Sequence, residues 1–418
     1  MFRPSQQPTA ANRARLWLLA AFAMSGLLAF SWLARLPSIK AGLGLSTVDL
    51  GIVLLVGSVG ALATVVSAGP LMTRWGTERL FIVATLLMAV GSTVMGVATG
   101  AASMWLLVLG IIVQGMGGAL INVTANVESA RVERALGRTV IPQFHAVFSA
   151  GAVTGSGLGA LCSALGIGVA PQFAVVAALG VLLRLAALAG GMVLPQRADE
   201  QVATTSPRRS SLAAWREPRT LMIGTLTFAT VVAEGAANNW LSVALVDGFA
   251  QSESVGGLVL AVMIGSMMLV RVFGATMIDR LGRVLTMRIS LSVTAGGLLL
   301  FGLAPSLPLA VVGASAWGLG TALIFPIAVG AASDHPLLAP GRVAVLSAIT
   351  TVGALVAPPL LGIAAGSLGV RHALLIVAVV TLVGLVTASS VEPLAGRRKP
   401  DEAVGRDAVP SVPAPGAA

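Results

Sequence analysis

Long apolar runs alternate along this chain with short polar breaks. Twelve runs stand out, near 15–37, 48–72, 79–99, 102–130, 141–165, 169–194, 219–246, 255–278, 284–304, 307–333, 342–366 and 370–391. Each comes close to the ~20 residues or more that a helix needs to cross a hydrocarbon core. The runs are too long for barrel strands and do not alternate. An apolar span in lipid must satisfy its own backbone hydrogen bonds, which a helix does within one segment. The pattern therefore predicts an all-α membrane protein with twelve transmembrane helices. The first run lacks a small-x-small cleavage site and reads as the first span, not as a removed signal peptide.

The longest internal break covers 195–218 and is polar, basic and rich in Ser and Thr. It divides the runs into two sets of six, 15–194 and 219–391. Residues 1–14 form a short leading segment, 195–218 a linker, and 392–418 a Pro-, Ala- and Gly-rich tail expected to be disordered.

Composition agrees with a bilayer as the solvent. The chain is 56% hydrophobic and 10% charged, against roughly 45–50% and 25% in soluble domains. The net charge of +10 sits in short loops between apolar runs, which argues against a nucleic-acid partner. With an N-terminus in the cytoplasm, the inside segments hold 21 of the 26 basic residues. The outside loops hold only Arg35, Lys40 and Arg371, and Arg184 and Arg271 lie within spans. This asymmetry predicts both termini in the cytoplasm of a multi-pass plasma (inner) membrane protein.

Several chemistries are missing from the sequence. The single cysteine, Cys162, permits no intrachain disulfide. No Gly-Lys dipeptide exists, so no Walker loop cradles a nucleotide. The segment Gly155–Gly159, GSGLG, has no preceding strand and reads as helix packing. There is no HExxH, and the three histidines lie far apart. No enzyme, metal site or cofactor is expected.

The two halves echo each other. GPLMTRWGTER follows the second run and ATMIDRLGR the eighth, with Thr73 and Asp279 separated by 206 residues. Ser31-Trp32-Leu33 echoes Asn239-Trp240-Leu241 at an offset of 208. Two echoes at nearly one offset suggest a duplicated unit of six spans.

These features resemble the major facilitator superfamily over nearly the whole chain. The family's loop signature G-x-x-x-D-R-x-G-R-R is matched by Asp279, Arg280, Gly282 and Arg283. The first copy keeps Arg74 and Gly76 but has Thr73 in place of the aspartate. The resemblance implies two pseudo-symmetric six-helix bundles, with the signature loops acting as a conformational latch. Gln114-Gly115-Met116-Gly117-Gly118-Ala119 is similar to the family's Q-G-x-G-A element, with Ile111 replacing its arginine. Span five has no Gly-Pro motif, so the drug-exporter branch fits less well. FSWLARLP, ANVESARVERALGR, FHAVFSAG and IFPIAVG look closer to fucose-permease-like carriers.

Polar groups at mid-membrane are costly, about 2.5–3.5 kcal/mol for a central charge, and by default mark function. Thr227, Thr230, Glu234 and Asn238 share an arc of about 80° on span seven. Glu234 reads as a proton-coupling carboxylate or as a structural hydrogen bond to a neighbouring helix. Gln114, Gly118, Asn122 and Asn126 form a drifting stripe on span four. Their amides suit a polar solute, or glue helices together. His145, Ser149, Ala152, Ser156 and Gly159 share a face of span five. His145 is either a proton shuttle or a satisfied structural histidine. Ala152 and Gly159 favour close packing.

Further candidates are Ser25 and Trp32 on span one, Arg271 on span eight, and Trp317 and Thr321 on span ten. Trp32 can stack on a sugar ring or anchor at the interface. Arg35 is placed to meet an anionic solute or to snorkel. Glu128 beside Arg131 reads as a structural ion pair, and Pro326 as a bend. Together these residues predict a secondary transporter of a small polar solute, such as a sugar, working by alternating access with protons as the partner ion. A monomer in the lipid bilayer is expected. The alternative is an exporter of hydrophobic drugs or metabolites with the same fold.

Overall fold

The computed structural model describes residues 7–194, 213–335 and 338–393. The expected disordered tail from residue 394, most of the linker and the first six residues lie outside these. The described residues are helical and contain no strand. Ten of their stretches are long and apolar enough to cross a membrane.

The first part of the chain runs through α1 (Gln7–Leu33), a short α2 (Leu36–Gly42), α3 (Thr47–Gly100), α4 (Met104–Leu136), α5 (Ile141–Ala164) and α6 (Val169–Ala189). The second part begins with α7 (Pro218–Phe249), α8 (Glu253–Leu281), α9 (Arg283–Leu303), α10 (Leu307–Thr321) and α11 (Ile324–Ala332). It continues through α12 (Ala339–Leu368), a single turn α13 (Val370–Ala373) and α14 (Leu375–Thr387), and ends in a 3-10 turn, Ala388–Val391.

Helix starts follow the side chains available. Ser46 and Asp49 form a reciprocal capping box before α3. Ser103 and Ser252 accept from the backbone of Leu106 and Val255. Such caps satisfy amide groups that a helix start otherwise leaves unpaired.

The helix α3 contains 54 residues, about 80 Å at 1.5 Å per residue. A bilayer core is only about 30 Å thick. The helix turns at Gly76, where φ is 78° and ψ is 162°. Between α8 and α9, Gly282 has φ 77° and ψ 164°. Only glycine adopts this region readily. These two glycines are 206 residues apart, so the sequence echo is also an echo of backbone geometry.

Two features depart from the hydropathy pattern. A short helix, α2, follows the first span, with Pro37 in its first turn. The tenth run is split between α10 and α11. Pro326 explains the split: it lacks an N–H and its ring clashes with the carbonyl four residues earlier, that of Ala322.

The helices pack in two groups. Within the first, α1 contacts α4, α5 and α6, and α3 contacts α4 and α6. Within the second, α7 contacts α8, α12 and α14, while α10 lies against α8 and α9. The groups meet through α5 on α8, α3 on α12, and α1 and α2 on α7. Glycines allow close approach: a Cβ on Gly155 would strike the backbone of Leu27, and one on Gly159 the backbone of Ser31. The packing role expected of Gly159 is thus seen directly.

The apolar cores show where the groups are joined. One buried cluster spans both, with Phe30, Leu50 and Leu54 beside Trp240, Leu260 and Leu361. A second, including Leu18, Phe81, Val132 and Phe144, belongs to the first group alone. A third, including Ile223, Met287, Ile324 and Val391, belongs to the second alone. These two lie toward the face that carries the chain ends, where Arg15 bonds Gln143 and Arg219 bonds the carbonyl of Glu392, while a fourth, including Ile39, Met95 and Val169, belongs to the first group near the opposite face. The groups are therefore joined on the face away from the chain ends and part on the face that carries them.

Candidate functional site

Between the groups, an ion pair faces the opening. Glu234 lies midway along α7, and its Oε1 accepts from Arg271 Nη2 on α8 at 2.9 Å. The side chains are 31% and 38% exposed respectively. Both are mid-helix residues on helices that join the groups: α7 meets α1 and α2, and α8 meets α5. Arg271 also donates through Nε to the carbonyl of Ala322 at 3.4 Å. This is the carbonyl that Pro326 deprives of its helical partner. His145 lies on α5, the helix of the first group that packs on α8. Its ring meets Phe22 edge-on, with centroids 5.9 Å apart.

A cavity of about 250 Å³ lies between α1, α3 and α4 of the first group and reaches Asn239 of α7, the helix that carries Glu234. Its polar lining comes from Trp32, Ser58, Gln114 and Asn239, and its apolar lining includes Leu54, Met88 and Ile111. Gln114 is fixed by Ser92, whose hydroxyl donates to its Oε1 at 3.1 Å. This leaves the amide nitrogen of Gln114 for other partners. The cavity therefore offers amide donors and acceptors and an indole face, the features that suit a small polar molecule.

The structure brings Trp32, Gln114, Glu234 and Arg271 to the gap, with Asn238 half-buried nearby on α7. Other expected residues lie elsewhere. Asn122 is exposed, and the Asn126 amide donates to the Asn122 carbonyl at 2.8 Å and its side-chain oxygen at 3.1 Å. Thr230 is buried and donates back to Leu226. Trp317 and Thr321 are fully buried in the second group, and Thr321 donates back to Trp317. Ser25 donates to Ala21 and accepts from Arg184. None of these six lines the cavity here.

Arg35 neither faces a solute nor snorkels. Its Nη1 bonds the Ile167 carbonyl and Gln172, and its Nε lies 3.0 Å from Glu253 of the second group. Glu253 also accepts from the backbone N–H of Ser38 at 2.7 Å and its hydroxyl at 2.6 Å. Lys40 pairs with Asp247 at 2.8 Å. On the opposite face, Arg74, Asp279 and Arg280 of the signature loops are exposed around the Gly76 and Gly282 turns. Glu128 pairs with Arg131 at 2.6 Å, as expected. Asn239 was not anticipated as a cavity residue. The Ser31-Trp32 and Asn239-Trp240 echo was the one signal that marked it.

Comparison with known proteins adds the family context. The Major Facilitator Superfamily model matches residues 16–336 and 223–414. An uncharacterised MFS-type transporter of Yersinia pestis is 28% identical over 80% of this chain and 83% of its own length. The solved structure of the nucleoside transporter NupG covers 91% of this chain and 98% of its own, with 17% identity and a TM-score of 0.70. The E. coli fucose:proton symporter FucP covers 90% of this chain and 98% of its own, with 15% identity and a TM-score of 0.60. At these identities the two structures establish the fold alone.

Proposed function

This chain belongs to the Major Facilitator Superfamily, and we propose that it is a proton-linked carrier of a small polar solute, such as a sugar. It is a membrane transporter, not an enzyme. The observation that carries the proposal is the Glu234–Arg271 pair, held mid-helix and open to the gap between the groups. A carboxylate there binds and releases a proton as its access to water and to Arg271 changes. His145 supplies a second proton acceptor across the gap. Trp32, Gln114 and Asn239 contact the solute in the neighbouring cavity. The FucP symporter and the NupG nucleoside transporter lend support, since both carry polar molecules on this fold.

The turns at Gly76 and Gly282, which break two of the ten apolar stretches, support a reading of twelve crossings, six in each of two bundles. The asymmetry of basic residues supports termini and signature loops in the cytoplasm of the plasma membrane. The gap then opens inward, and the closed face lies outside. Rocking of the two bundles about the cavity exchanges access between the sides. Asp279 and Arg280, with Arg74, latch the inner face when it closes. The carrier works as a monomer.

Uptake into proteoliposomes after a pH jump, with a panel of sugars, nucleosides and hydrophobic drugs, tests this reading. A polar solute should accumulate with the proton gradient. Glu234→Gln should lower that accumulation at least tenfold while exchange without a gradient survives. Proton-driven accumulation intact in the variant would remove Glu234 from the mechanism. Movement of hydrophobic drugs alone would favour the exporter.

A further inference from the structure

One deeply buried cation in the first group has no counter-charge. Arg184 of α6 is only 1% exposed. Its Nη2 donates to Ser25 Oγ at 3.0 Å and its Nη1 reaches the sulfur of Met88 at 3.2 Å. Its Nε has no partner. Among the described residues it makes no ion pair, whereas Arg35 has Glu253, Arg131 has Glu128 and Arg271 has Glu234. A buried charge is ordinarily paired, because leaving water without a partner is costly. Arg184 lies five residues from the end of α6, within snorkelling reach of the membrane surface. It turns inward instead.

Its neighbour shows what it turns toward. Met88 touches the guanidinium on one side and lines the central cavity on the other. A thioether is a weak acceptor, and its unbranched chain changes rotamer readily. One side chain therefore separates an unpaired cation from the cavity. The polar groups on the cavity wall, Trp32, Ser58, Gln114 and Asn239, are neutral. Arg271 nearby is already balanced by Glu234. Arg184 is thus the uncompensated charge beside the cavity.

We propose that Arg184 is the counter-charge for an anionic solute, a small carboxylate such as a sugar acid, which meets it from the central cavity when Met88 swings aside. The carboxylate replaces the Met88 sulfur with a charge-assisted bond and gives the spare Nε an acceptor. This inference rests on the carrier reading of the same cavity and narrows its solute class.

The test uses acetate as the smallest carboxylate probe and acetamide as its neutral counterpart, at matched ionic strength. Ligand that binds the folded state raises its apparent stability. Acetate should raise the melting temperature of the purified full-length protein by several degrees, and acetamide should not. Arg184→Gln should lose the acetate shift. Met88→Ala should reach the half-maximal shift at several-fold lower acetate, which supplies a second readout if Arg184→Gln does not fold. No acetate shift, an equal shift from acetamide, or an undiminished shift in Arg184→Gln overturns the proposal. So does an unchanged half-maximal concentration in Met88→Ala. Proton-driven uptake of a neutral sugar without any acetate response would sink the anion site and leave the carrier standing. An acetate shift without transport would do the reverse.

Discussion

On the face away from the chain ends, ion pairs join the two helix groups: Arg35 with Glu253 and Lys40 with Asp247. On the face that carries the ends, the pairs seen among the described residues stay within one group. Glu128 pairs with Arg131, Arg219 and Arg283 share Asp334, and Arg342 holds Glu217. The difference separates two jobs. Pairs that cross the groups must break when that face opens, so they set which face is closed. Pairs inside one group can survive the whole cycle and hold each group rigid while it moves.

The largest effect should come from the buried clamp. Glu253→Ala strands Arg35, which is only 4% exposed, and breaking a buried pair from one side costs about 3–5 kcal/mol. Spin labels on Gly42 and Gln251 should report a population shifted by at least a hundredfold toward opening of the face away from the chain ends. An unchanged distance distribution would show that apolar packing alone closes that face.

The next effect concerns the two turns. Gly76→Ala and Gly282→Ala each force a side chain into a backbone region that costs about 1–3 kcal/mol. The losses should match each other in thermal melting, because the two glycines share one geometry. A large loss from only one would break the structural repeat as an account of these loops. Lys40→Ala should matter less. Its pair with Asp247 is partly exposed, and such pairs contribute about 0–1 kcal/mol. The same spin labels should move little, and clearly less than with Glu253→Ala.

The smallest effect lies on the face that carries the chain ends, at low pH. Hydrogen bonding from Arg342 holds the Glu217 carboxyl below its usual range. The unfolded chain therefore binds more protons than the folded one around that value. The stabilisation is present above the ordinary carboxylate value of 4.5 and is lost as pH falls through the lower folded value. Glu217→Gln should flatten this acid-side slope in melting temperature without changing which face is open.

Much of the fold was legible because lipid makes strict demands. Apolar runs located the spans, and the two signature loops marked the joints at Gly76 and Gly282. The α2 helix was not legible, since seven residues after Arg35 carry no span-length signal. The site was legible only as far as angles go. An arc on span seven groups Thr230, Glu234 and Asn238, but helical spacing does not say which edge of an arc meets the gap. Thr230 and Thr321 satisfy their hydroxyls on carbonyls four residues back, so a polar side chain in a span can still belong to the core. Arg35 and Ser25 were misread for a related reason. Their partners, Glu253 and Arg184, lie 218 and 159 residues away in sequence, where periodicity has no reach.

The carbonyl that Pro326 leaves open on Ala322 gives Arg271 two attachments, one to a carboxylate and one to a break in the polypeptide. A proton arriving on Glu234 removes the charge from the first attachment and leaves the second. The guanidinium then acts as a tether whose grip on the α10–α11 joint depends on the ionisation of another helix. In such a linkage the proton need not push anything. It only has to change which of two moorings Arg271 prefers, and the flexible joint supplies the movement.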